Sequence, residues 1–73
     1  MTHRHPIIAT LRELRHARGI PQDALAAKAG VSIHVINTSE RGEGNPTLAS
    51  LEAWAGALGK RLALEDERTS TDG

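Results

Sequence analysis

The residue types that most often carry chemistry are sparse in this chain and poorly grouped. Its four histidines, His3, His5, His16 and His34, fall on separate segments without the spacing that brings imidazoles onto one metal ion. Cysteine is absent, which removes disulfides, thiolate zinc sites and cysteine nucleophiles. Ser32, Ser39 and Ser50 lack the flanking pattern of a nucleophile elbow, and no glycine-rich phosphate loop is present. Catalysis, a resident metal and a bound cofactor are therefore not expected. One stretch points elsewhere: "GVSIHVINTSERG", residues 30 to 42. Gly30-Val31 reads as a turn and Ser32 as a helix N-cap. The first helical residues, Ile33, His34 and Val35, then include two apolar side chains where a solvated surface favours charge. A short helix of that kind should touch something.

The elements that must position it fit into one domain, since 73 residues cannot build two cores. The lack of cysteine suits a reducing compartment. No run approaches the roughly 18 apolar residues of a membrane span, and the start "MTHRHPIIATLRELR" lacks the long apolar segment of a signal peptide. The expectation is a soluble, cytoplasmic chain with no membrane contact. Its formal net charge is zero, but the distribution is uneven. Residues 1 to 64 carry eight Lys or Arg against five acids, a net of +3, while the tail "EDERTSTDG" holds four acids and one Arg. The chain thus divides into residues 1–64 as the folded, mildly basic domain and residues 65–73 as an acidic flexible tail. Mild basicity permits nucleic-acid binding without requiring it.

Periodicity predicts four helices. Ile8, Leu11, Leu14 and Ala17 form the stripe of the first, with Pro6 in its first turn and Gly19 at its end. A second begins at Pro21 or Gln22 and runs to about Lys28, with Leu25, Ala26 and Ala29 inward and Gly30 as its stop. The third runs from Ser32 to about Glu40, and "RGEGNP" is loop by composition. Thr47 caps the fourth, which places Leu48, Leu51, Trp54, Ala55 and Leu58 on one face and closes at Gly59. "KRLALE" alternates at strand period. The fold class is all-α, a compact four-helix domain ending in a short extended strand or tail.

Two helices joined by a short glycine-containing turn, at about residues 22–40, are the requirement of a helix-turn-helix. Here the residues are more specific than the pattern: Gln22, Leu25, Ala26, Ala29, Gly30, Val31, Ile36, Glu40 with Arg41-Gly42, Asn45-Pro46, and the Leu51, Ala55 and Leu58 face. Over residues 11 to 59 the chain resembles the Cro/repressor-type (XRE-like) helix-turn-helix family, whose domain is lambda-repressor-like. Ala26 and Gly30 would be small because two helices approach closely and the turn wants a left-handed backbone.

The resemblance implies that the third helix lies in the major groove. Carried over position by position, the base-contacting sites are Ile33, His34, Asn37 and Thr38. Ile33 would pack on a thymine methyl, Asn37 would pair with adenine, Thr38 would use its methyl or hydroxyl, and His34 would donate to guanine. Ile33 and Val35 also fit a plainer role as satellite core contacts. Phosphate contacts are implied at Gln22, Arg41 and Asn45, with Lys28 a further candidate beside Arg12 and Arg18. The resemblance also implies that Arg15 and Glu40 meet as a partly buried ion pair. By spacing alone they are two ordinary surface charges.

Three residues depart from the family pattern. Ser39 stands where an apolar residue is usual, Pro21 replaces an N-capping serine, and Glu43 brings negative charge close to the expected phosphate. The resemblance further implies a homodimer on paired half-sites, with Leu62 and Leu64 in a C-terminal strand paired across a two-fold axis. The alternative is that both leucines fold back on their own core. The function expected is a sequence-specific double-stranded DNA-binding transcriptional regulator, most simply a repressor. The other reading is an antitoxin or another protein-interaction module on the same fold, with a toxin or other regulator as protein partner.

Overall fold

The computed structural model describes residues 5–64 of the chain. The acidic tail expected over 65–73 lies outside the described residues. Four helices are present among those described: α1 (Pro6–Ala17), α2 (Gln22–Ala29), α3 (Ile33–Glu40) and α4 (Leu48–Ala57). No helix among them is long and apolar enough to cross a membrane.

Local chemistry sets most of these boundaries. At α1, Pro6 occupies the first turn and the His5 ring accepts the Ile7 amide proton at 3.1 Å. Pro21 leaves α2 without a side-chain cap, and the extended backbone at Pro21 leads straight into the helix. Ser32 caps α3 by accepting from the His34 amide at 3.0 Å. Thr47 does the same for Ser50 at α4, also at 3.0 Å. Beyond the last turn of α3 the Gly42 amide donates to the Ser39 carbonyl and the Glu43 amide to the Thr38 carbonyl, the paired return bonds of a Schellman ending.

The core consists of Ile8 and Leu11 from α1, Leu25 and Ala26 from α2, Ile36 from α3, and Trp54, Ala55 and Leu58 at α4. Within it α2 packs against both α3 and α4, while α1 packs against α3. Ile36 is the single fully buried apolar side chain that α3 contributes; the other buried positions on that helix are Ser39 and Glu40. Burial of one isoleucine stabilises by about 1.5–3 kcal/mol. The docking of α3 therefore depends heavily on how its two polar inner residues are satisfied.

Three sequence expectations change here. Ala17 is exposed and Leu14 only half-buried, whereas Arg15 is buried. Apolar residues three apart drift about 60° per step around a helix of 3.6 residues per turn, so the stripe leaves the core face and Arg15 inherits it. Leu48 is 65% exposed rather than inward. It sits in the first turn of α4, about 120° around the helix from Trp54 at that same pitch. Residues 60–64 form neither helix nor strand. A strand needs a ladder partner, and the described residues offer none there. Leu62 packs against the core as the fold-back alternative expected, but Leu64 is fully exposed.

Candidate nucleic-acid interface

Gly30 holds a left-handed conformation at φ 70°, and its amide and that of Val31 both donate to the Ala26 carbonyl. That ending turns the chain through Val31 and Ser32 into α3. A side chain at residue 30 would meet nothing within 4 Å. Glycine is required there for its backbone angle, and the close helix approach expected at this position is not what selects it.

The first turn of α3 presents Ile33, 47% exposed, and His34, also exposed. Asn37 and Thr38, one turn further on, are half-buried. Ile33 is thus not a core contact, while Val35 is half-buried. The Thr38 hydroxyl donates back to the His34 carbonyl at 2.9 Å, with the Val35 carbonyl at 3.3 Å, so its proton is engaged within the helix. Lys28 at the end of α2, and Arg41 and Asn45 after α3, are exposed around this surface.

Beneath it lies a polar cluster centred on Glu40, which is 4% exposed. Arg15 donates through Nε to Glu40 Oε2 and through Nη2 to Oε1, both at 2.7 Å. Its Nη1 donates to the Ile20 carbonyl at 2.7 Å. Nη2 also lies 2.8 Å from His16 Nε2, and because a guanidinium only donates, the ring nitrogen accepts. Gln22 Nε2 donates to Glu40 Oε1 at 3.0 Å, and Asn37 Nδ2 donates to Gln22 Oε1 at 3.1 Å. Arg12 approaches from the rim, its Nε 3.9 Å from Glu40 Oε1. Burial by itself would raise the Glu40 pKa. The hydrogen bonds from Arg15 and Gln22 and the charges of Arg15 and Arg12 outweigh that effect and hold the carboxyl below its ordinary range.

The structure therefore brings Arg15, Gln22, Asn37 and Glu40 into one connected network and leaves Ile33, His34, Lys28 and Asn45 outside it. The links from Gln22 to Glu40 and from Asn37 to Gln22 were not anticipated from the sequence. They join residues 18 and 15 positions apart, a separation at which spacing carries no signal. Arg41 pairs with Glu43 at 3.1 Å, with both side chains about half exposed. A pair so open to water contributes about 0–1 kcal/mol, so phosphate can compete for that guanidinium. Arg18, in contrast, donates to the Leu58 carbonyl at the end of α4.

No group of three or more histidine, cysteine or acidic side chains able to hold a metal ion occurs among the described residues. Comparison with known families matches residues 11–64 to the pattern described as helix-turn-helix. No curated protein matches the chain.

Proposed function

The chain belongs to the Cro/repressor-type, XRE-like helix-turn-helix family and is a DNA-binding transcription regulator, and on that premise we propose that it acts as a repressor, reading a (pseudo)palindromic operator as a homodimer. The α3 helix lies in the major groove. Ile33, His34, Asn37 and Thr38 face base edges there, and Gln22, Lys28, Arg41 and Asn45 hold the flanking phosphates.

The observation that carries this reading is the division of α3. One side is fixed to the body by Ile36 and by the Glu40 cluster, while Ile33 and His34 at its start are exposed. A helix clamped on one side, with an apolar and a hydrogen-bonding side chain free in its first turn, suits a groove that offers thymine methyls and purine edges.

Selection of bound DNA from a random duplex pool, at near-physiological salt, tests the proposal directly. The expected product is an inverted repeat with half-site centres about 34 Å, or one helical turn, apart. Retention that is salt-sensitive but without enriched sequence would overturn sequence-specific reading. On the selected operator, Arg41→Ala should weaken binding to all sequences alike and lower the salt slope by about 1, as expected for a phosphate contact. His34→Ala should instead relax choice at one or two base pairs.

A homodimer is favoured by one further observation. Leu48 and Leu64 are exposed beside the half-buried Ile7, Leu51 and Leu62, making a continuous apolar surface on α1, α4 and the C-terminal segment. Leu62 and Leu64 supply the pairing segment in this reading. The same surface would serve a different protein partner, as in an antitoxin, if the chain does not self-associate.

A further inference from the structure

We infer that Gln22 is a specificity-determining positioning residue, which transmits the acceptor polarity of the Glu40 carboxylate to the side chain of Asn37 and fixes that carboxamide for an adenine edge. This rests on the reading of Asn37 as a base contact.

A carboxamide has a donor end and an acceptor end of nearly equal shape, so nothing in its bulk decides which way round it sits. A charged neighbour can decide it. Glu40, held ionised by two 2.7 Å bonds from Arg15, can only accept. Gln22 stands 3.0 Å from Glu40 Oε1 and must therefore present Nε2 to it. Its Oε1 is then committed to the other side, where Asn37 lies at 3.1 Å and must present Nδ2. Reversing either amide would set two acceptors against each other at about 3 Å inside a partly buried cluster, which forfeits a hydrogen bond and adds repulsion.

The consequence is a defined remainder on Asn37. One Nδ2 proton is used, leaving one N–H donor and the Oδ1 acceptor in a fixed order. Adenine offers the complementary pair in the major groove, an N7 acceptor beside an N6 donor. Guanine offers two acceptors, O6 and N7, which a carboxamide with one remaining donor cannot match. Cut loose from Gln22, the same side chain could turn over and would discriminate less sharply. Gln22 thus acts on base choice through Asn37 without touching the base.

The test uses the full chain and an operator recovered by selection, with competition binding against every single base-pair variant of that operator. Asn37→Ala first identifies the position that Asn37 reads. Gln22→Met, similar in length but unable to make either bond, should then lose about tenfold of the adenine preference at that same position, with ratios at the other positions unchanged. In the Gln22→Met/Asn37→Ala double variant the loss of preference there should be no larger than in Asn37→Ala alone. Should Gln22→Met lower affinity for every sequence by one factor and leave the adenine preference intact, Gln22 is a phosphate contact only and the inference fails. Should Asn37→Ala change preference nowhere, the base-contact reading itself fails, a separate outcome. Gln22→Ala provides the same comparison if the Met variant does not fold.

Discussion

Glu40 receives two bonds from Arg15 and one from Gln22 while almost wholly removed from water, so the value of the cluster depends on its completeness. Removing one partner leaves a buried charge uncompensated, at about 3–5 kcal/mol, whereas replacing both with apolar residues is often neutral or stabilising. Arg15→Ala or Glu40→Ala should therefore destabilise strongly in urea, and Arg15→Met with Glu40→Leu should recover most of the loss. The sign of the pH effect follows from the lowered Glu40 pKa. The unfolded chain takes up this proton more readily than the folded one. The stability supplied by the pair is complete above the unfolded glutamate pKa of about 4.3 and is lost as pH falls through that value toward the lower folded one. The urea midpoint of the native chain, measured relative to that of the Met/Leu variant, should accordingly fall as pH drops from about 5 to about 3, the usual acid window; a constant difference across that range would show that Glu40 does not titrate as stated. Ser39 presents the opposite case, a hydroxyl 2% exposed with no hydrogen-bond partner among the described residues, as is also true of the Trp54 indole nitrogen. A buried unsatisfied group costs about 1–3 kcal/mol. Ser39→Ala should leave the melting temperature unchanged or raise it by several degrees, and a clear fall would reveal a partner for the hydroxyl.

At the scale of the elements, helix boundaries were legible because their signals are local. Pro6, Ser32 and Thr47 mark starts, and Gly30 marks the stop that turns α2 into α3. Facing was less legible. A stripe at three-residue spacing rotates as it advances, so Ala17 and Leu48, apolar and in pattern, finish on the surface. The same rotation put Arg15 on a core azimuth, a signal for a buried charge that was present in the sequence, while its partner Glu40 was indicated by the family resemblance and not by spacing. The turn between α2 and α3 yields its own prediction. With φ at 70° and open space around it, Gly30→Ala should cost about 1–2 kcal/mol in thermal or urea unfolding, the penalty of an L side chain in a left-handed conformation. A loss of about 4 kcal/mol, in the range of core disruption, would mean that close helix approach selects the glycine after all.

For the whole molecule, zero net charge conceals a basic body and acids concentrated toward the C-terminus. Within the body the exposed cation nearest the end of α3 is shared with Glu43, so a phosphate there must displace that pair and DNA affinity should be modest. Assembly is the larger question at this scale, because one small domain offers one half-site contact. The exposed Leu48 and Leu64 are suitable probes, since neither supports the monomer core. Leu64→Glu combined with Leu48→Glu should convert a sedimenting dimer to a monomer with little change in far-ultraviolet circular dichroism. A native chain that sediments as a monomer while filling a palindromic operator would remove C-terminal pairing from the proposal.

The sequence alone determined the all-α character, the four helices, the turn at Gly30 and the family, because caps, stops and short-range periodicity are properties of neighbouring residues. It also supplied the list of polar residues around α3. The family resemblance paired Arg15 with Glu40; only the tertiary structure decided that Gln22 and Asn37 act together with them. Arg15, Gln22, Asn37 and Glu40 come from three helices, and their hydrogen bonds span up to 25 positions of chain. Contacts of that kind exist only once α1, α2 and α3 have packed, since it is the packing of the core that brings those side chains within bonding distance.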